Sequence, residues 1–288
     1  MSRKFITQRG ATASQTFRRT DNVPRSVEIE YTIDEALEIF IRAKEAEGVR
    51  PRTIKDYRSH VKYLKEYLNT RDDFKVISDL NSQMIRDYII YLKDGKKAYE
   101  GAKHRKELDR GLSPTTINIR LRTLKTMCSF WYAEDILLSN PAAKIKSLKS
   151  DEQDAVKGFT DEEIKTILTA LDDRQYAEWR DKVLILLLLD TGMRITEATT
   201  LTFKQIDFKG GSVTILPSVA KNRKGREVPV SREVLRELKK LHEESTTYFG
   251  HHEEIFMNAY GEPFTAETFR RRLHRLKEKT GLKKIHPH

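Results

Sequence analysis

The sequence predicts a mainly α protein with one small antiparallel β-sheet, arranged as two domains. Three observations lead there. Apolar residues recur at helical spacing through most of the chain. One stretch, Phe203 to Val230, changes to strand-like alternation around glycines. A polar, charged segment, Lys144 to Lys157, separates the two halves, and 288 residues suffice for two domains with a core each.

Composition narrows the function classes. A charged fraction of 34% beside 38% hydrophobic residues describes a soluble globular chain, and a net charge of +11 points to a polyanionic partner, nucleic acid before an anionic membrane surface. The single cysteine, Cys128, excludes an internal disulfide and a Cys-rich zinc centre and fits a reducing compartment. Its apolar helical surroundings read as those of a buried structural thiol. No amino-terminal segment resembles a signal peptide, and no apolar run reaches the roughly 20 residues that span a bilayer, so a cytoplasmic protein is expected.

Taken in order, residues 1–28 read as a basic flexible arm, with Arg3, Lys4, Arg9, Arg18, Arg19 and Arg25 against Asp21 and Glu28. A helical domain over 29–147 follows. Thr32 and Glu35 have capping-box spacing ahead of Ala36, Leu37 and Phe40. Pro51 opens a second helix with an apolar stripe of Tyr57, Val61, Leu64 and Leu68 and a basic face of Lys55, Arg58, Lys62 and Lys65. A third runs from about Ser82 to Leu92, then a long basic loop from Lys93 to Gly111 is either a solvated insertion or a nucleic-acid contact. Ser113-Pro114 is a cap followed by a first-turn proline. The helix it starts sets Ile117, Leu121, Leu124 and Cys128 against Arg120, Arg122 and Lys125, a face that could lie in or across a DNA groove.

A linker is expected at 148–158 and a second domain at 159–288. It opens with a second capping box, Thr160 to Glu163. Its centre is Leu184 to Glu197, LILLLLDTGMRITE, where an apolar run stops at Asp190-Thr191-Gly192 and Arg194 emerges. With Glu197 three residues on, the carboxylate can orient the guanidinium toward an anion. Alone, this is equally an ordinary helix end with a surface ion pair. Strands are expected at Phe203–Phe208, Ser212–Leu216 and Arg226–Val230, the last after a basic turn, Lys221-Asn-Arg-Lys224-Gly225, and further helices start at Ser231 and Thr265.

Three motifs in order, TGMRITE at Thr191–Glu197, KNRKGREVPV at Lys221–Val230 and IHPH at Ile285–His288, resemble the tyrosine recombinase, or phage integrase, family. LSPTTIN from Leu112 and SNPA from Ser139 resemble that family's helical core-DNA-binding (SAM-like) domain, so the likeness covers nearly everything after residue 30. It implies a core-DNA-binding domain followed by a catalytic domain, and strand transfer in double-stranded DNA through a 3′-phosphotyrosyl intermediate. By this resemblance Arg194 takes the place of the first catalytic arginine, Glu197 of its acidic support, Lys221 of the lysine in the strand turn and His288 of the histidine that opens the H-x-x-R box. Lys224 rivals Lys221; Lys224 and Arg226 are otherwise expected to contact backbone phosphates. The residue types suit the chemistry: a guanidinium stabilises charge growing on phosphoryl oxygens, and a lysine can protonate the departing oxygen. No cofactor is expected. His251, His252, His286 and His288 lack a carboxylate or cysteine partner at recognisable ligand spacing, so no metal is expected either.

The resemblance also defines what is missing. The family's box continues with a second arginine, a second histidine or tryptophan and the tyrosine nucleophile, whereas all eleven tyrosines here precede it. Loss of a nucleophile costs on the order of six decades in rate, against about two to three for one electrostatic donor. The chain is therefore expected to be a truncated piece of a longer parent, binding DNA without cleaving it. The parent would be tetrameric on DNA in the nucleoid, the fragment monomeric or weakly associating. A non-catalytic regulator occupying a recombination site needs the same basic clamp and is the other reading, disfavoured because a pure binder has little use for Arg194, Glu197 and Lys221 together.

Overall fold

The computed structural model describes residues 30–98, 107–149, 158–282 and 285. The amino-terminal arm and His288 lie outside them. The chain divides into two compact units, 1–154 and 155–288, and among the described residues no helix is long and apolar enough to cross a membrane.

The first unit is built on α1 (Ile33–Ala46), α2 (Pro51–Leu68), α3 (Ser82–Ile90) and α4 (Pro114–Ala133). Each start follows from local chemistry. Thr32 Oγ1 accepts the Glu35 amide while the Glu35 carboxylate accepts the Thr32 amide, which satisfies two orphan donors of the first turn. Ser113 Oγ caps α4 by accepting from the Thr116 amide, with Pro114 next. Phe40, Leu68, Ile117 and Leu121 are buried as expected, together with Ile85 and Trp131, and the indole N–H of Trp131 donates to the Ala36 carbonyl at 2.8 Å, joining α4 to α1. Cys128 is buried, and burial pushes its thiol up to about 12, which fits an inert structural side chain.

Several features add to the sequence reading or depart from it. α3 does not run to Leu92; it gives way at Tyr91 to a wider turn through Gly95. The loop from Lys93 is tied at its base, where Ala98 bridges Leu108 and Lys97 pairs with Glu107 and Asp109, so its charges offset one another there. Two of the four residues on the basic face of α2 are paired. Arg58 forks onto Glu38 and Lys65 reaches Asp34, both on α1. The described start of the expected linker is also held, since Asn118 exchanges two hydrogen bonds with the backbone of Leu148 at 3.0 and 2.8 Å.

The second unit contains α5 (Asp161–Thr169), α6 (Tyr176–Thr191), α7 (Ile195–Thr199), β1 (Ile206–Asp207), β2 (Ser212–Ile215), β3 (Arg226–Pro229), α8 (Arg232–Phe249) and α9 (Ala266–Thr280). The strands form an antiparallel sheet in the order β1-β2-β3, with Val213 opposite Ile206 on one side and Val228 on the other. The expected first strand at Phe203–Phe208 is mostly not a strand. Gln205 turns back to accept from the amide and hydroxyl of Thr202, so Phe203–Gln205 is a 3-10 turn and only Ile206 and Asp207 pair. Asp207 Oδ1 then accepts from the amides of Lys209 and Gly210, and Gly211 adopts φ 77°, which closes the hairpin.

α5 is only nine residues long and depends on its cap, in which Thr160 Oγ1 accepts from the Glu163 amide at 3.2 Å. Thr160→Ala is expected to destabilise the second unit by about 1 kcal/mol, read as a lower denaturant midpoint at unchanged slope.

Candidate active site

The site is set by how α6 ends. One face of its apolar run is buried, with Leu184 and Leu187 at 0% exposure, which anchors the helix in the core, while Leu189 near its end is exposed. Gly192 caps it in the left-handed conformation at φ 62°, where a side chain would be strained. Met193 and Ile195 are both buried, so Arg194 between them must face outward. The side chain of Arg194 is 51% exposed.

Arg194 is also the N-cap residue of α7, and Glu197 occupies the third helical position. Glu197 Oε2 accepts the Arg194 backbone N–H at 3.0 Å and Oε1 accepts Arg194 Nη1 at 3.2 Å. This is the orienting contact that the three-residue spacing predicts. The same carboxylate receives a second guanidinium: Arg226 Nη1 donates to Oε1 at 3.2 Å and Nη2 to Oε2 at 2.7 Å. Burial opposes the charge on Glu197, but the hydrogen bonds from Arg226, from the Arg194 amide and from its guanidinium outweigh it and lower the carboxyl to about 2. A buried carboxylate that stays ionised well below the usual carboxylate range thus sits between two outward-reaching arginines.

The remaining expected residues fall as follows. Lys221 and Lys224 are exposed on the segment joining β2 to β3, in which Arg223 takes a positive φ of 55° and the Lys224 amide donates to Asn222 Oδ1. Arg226 differs from them in being engaged within the protein. It opens β3 and spends its fork on Glu197, a pairing the sequence reading missed because its partner is 29 residues away. In the first unit Arg122 is exposed and Lys125 half-buried, but Arg120 is turned inward. Its guanidinium stacks 3.7 Å from the centre of the Tyr63 ring, and Nη1 is buried beside the hydroxyl of Tyr88 without a well-formed hydrogen bond. The reason is helical geometry: residue 120 is three after Ile117 and four before Leu124, which places it at the margin of the buried face. His60, also near Arg120, is held against Thr123 Oγ1 at 2.8 Å, and burial lowers its pKa.

A second charged cluster escaped the sequence reading. Asp181, on α6, accepts from Arg180 at 2.8 Å and from Arg272 of α9. Arg180 is 2% exposed, donates to the Met257 carbonyl at 3.0 Å and lies 3.6 Å above the Phe264 ring. Only a charged pair at consecutive positions inside a core helix, Arg180-Asp181, hinted at it.

With this geometry in hand, comparison with known proteins is direct. Residues 34–147 match the phage integrase SAM-like domain and residues 157–288 match the phage integrase family. Tyrosine recombinase XerC of Staphylococcus epidermidis is 28% identical over 179 residues, 62% of this chain and 59% of that protein. XerC of a Staphylococcus aureus strain is 25% identical over 238 residues, 82% of this chain and 73% of that protein. The match thus spans less than two thirds of the length of the first of these relatives. Among solved structures, a lambda integrase tetramer bound to a Holliday junction superposes with a TM-score of 0.65 at 18% identity, covering 96% of this chain and 75% of that one. The Tn1549 transposon integrase in complex with a circular intermediate DNA gives 0.65 at 18% identity, covering 88% and 83%. Helical first unit, mainly helical second unit with a small sheet, and the motif order agree with both family matches, and the chain belongs to the phage integrase family of tyrosine recombinases.

Proposed function

We propose that the chain supplies the DNA-binding and phosphate-activating residues of a site-specific recombinase acting on double-stranded DNA, with Arg194, Glu197 and Lys221 at its phosphate site and His288, outside the described residues, joining them by the family resemblance. The observation that carries this reading is the outward Arg194 held by a buried, ionised Glu197. A guanidinium so oriented can donate to two non-bridging oxygens of a phosphodiester, where negative charge accumulates as a nucleophile adds to phosphorus. Lys221, exposed on its turn, is assigned as general acid for the departing 5′-oxygen. Attack by a tyrosine hydroxyl would leave a 3′-phosphotyrosyl link and a free 5′-hydroxyl, and reversal of the step by another 5′-hydroxyl would rejoin strands without an external energy source. Lys224, Arg122 and Lys125 are assigned to backbone phosphates; Arg120 and Arg226 are not, because their guanidinium groups are engaged within the protein.

DNA-bound lambda and Tn1549 integrases, including the lambda tetramer, support duplex DNA as the partner and assembly on it. The three tyrosines of the second unit have other surroundings than the arginine pair. Tyr176 donates to the Met257 carbonyl, Tyr248 packs edge-on against Phe249, and Tyr260 sits in the turn organised by Asn258. The 288-residue chain should accordingly bind duplex DNA and yield no detergent-stable covalent adduct.

One titration tests the site. With a random-sequence duplex, Arg194→Ala should reduce the slope of log affinity against log salt by about 0.9, the value of one lost phosphate contact. An unchanged slope would remove Arg194 from the phosphate, and an adduct on a denaturing gel would show that a tyrosine of this chain can attack.

A further inference from the structure

We infer that Arg226 is a positioning residue of this site: it occupies the Glu197 carboxylate so that Arg194 keeps its donors for phosphate. The inference rests on the reading of Arg194 as a phosphate ligand.

The hydrogen-bond inventory makes the case. Arg226 grips Glu197 with both terminal nitrogens, the closer at 2.7 Å, whereas Arg194 gives it one side-chain nitrogen at 3.2 Å. A guanidinium carries five N–H donors, so most of those on Arg194 stay available. Without Arg226, the buried carboxylate would keep Arg194 as its one cationic partner among the described residues and would draw it into the fork it now makes with Arg226. Planar guanidinium and carboxylate groups favour that two-point geometry.

Charge leads to the same conclusion. One carboxylate and one arginine form a neutral pair, which offers an incoming phosphate little net attraction. A second arginine on the same carboxylate restores one positive charge. Exposure is graded to match, with the Glu197 side chain 1% exposed, Arg226 37% and Arg194 51%. An anion arriving from solvent therefore meets guanidinium and not carboxylate.

Placement in the fold adds a second role. Arg226 is the first residue of β3, paired with Ile215 of β2, and the segment between those strands carries Lys221 and Lys224. Its fork on Glu197 pins one end of the lysine-bearing segment to α7, which carries Arg194 at its cap. The general acid and the phosphate ligand of the proposed reaction are thereby referred to one carboxylate.

Salt titration of the full chain on a random-sequence duplex distinguishes this role from a direct phosphate contact. Arg226→Ala should lower the slope by about 0.9, as Arg194→Ala does. In the double variant Arg226→Ala/Glu197→Gln the slope should return, because an uncharged amide no longer captures Arg194. In Arg226→Ala/Arg194→Ala there should be no further loss. Failure of the glutamine to restore the slope, or additive loss in the double alanine, would overturn the proposal and make Arg226 a phosphate ligand in its own right. An unchanged slope for Arg194→Ala would instead sink the underlying reading of the site. Trp179 fluorescence and far-ultraviolet circular dichroism report whether each variant is folded. If the alanine chain does not fold, Arg226→Lys, which keeps a charge but cannot fork, takes its place with the same rescue expected from Glu197→Gln.

Discussion

Asp181→Ala is expected to destabilise the second unit by about 3–5 kcal/mol, the cost of breaking a buried ion pair from one side. Asp181 and Arg180 are 3% and 2% exposed, and the single carboxylate serves both Arg180 and Arg272. Truncation leaves two guanidinium groups converging on an empty position. Arg180 retains the carbonyls of Met257 and Ala177 and the face of Phe264, but these are dipoles and a quadrupole and do not balance a full charge. The cluster joins α6 to α9, so its loss should loosen the helix on which Arg194 depends. Denaturant unfolding in a Trp131→Phe background, where Trp179 is the remaining tryptophan, isolates the effect to this unit. Arg180→Met/Asp181→Leu should cost less than Asp181→Ala alone, because the buried charges leave together and Arg272, 26% exposed, can turn to water. A change below about 1 kcal/mol for Asp181→Ala, the range of exposed pairs, would mean that solvent reaches the cluster.

Sequence and structure agree at most places where the controlling interaction is local. Both capping boxes span three residues, Thr32 to Glu35 and Thr160 to Glu163, and each is present. The contact between Arg194 and Glu197 is of the same kind, a carboxylate three residues ahead on the first turn of a helix. Helix cores were readable because a period of 3.6 leaves the same residues facing inward whatever packs against them. What sequence did not disclose is pairing across the fold. Arg226 reaches Glu197 over 29 residues and Arg272 reaches Asp181 over 91, and neither distance leaves a mark in the pattern of charges. Arg120 illustrates the intermediate case. Its helical position borders the buried stripe, and only the presence of the Tyr63 ring decides that its guanidinium folds inward. The short β1 is the converse: alternating Phe203, Ile206 and Phe208 imitates a strand, but Gln205 bonding back to Thr202 forms a turn first, and Phe203 stacks on His242 instead.

The second large effect is on acid stability. The Glu197 carboxyl lies at about 2 in the folded chain, against an ordinary value of 4.5. A folded-state value below the unfolded one means that the unfolded chain binds the proton first, so stability is complete above about pH 4.5 and is lost as pH falls toward 2. At roughly 1.4 kcal/mol per unit, this one group contributes about 3 kcal/mol at neutral pH. Glu197→Gln should therefore be less stable than the parent chain by about that amount at pH 7, and the difference should shrink below pH 4.5 and vanish near pH 2, where the parent's own carboxyl is protonated. Comparing the two chains cancels the other carboxylates, which titrate in both. Stability curves that run parallel from pH 7 to 2 would show that Glu197 is not held ionised by its two arginines.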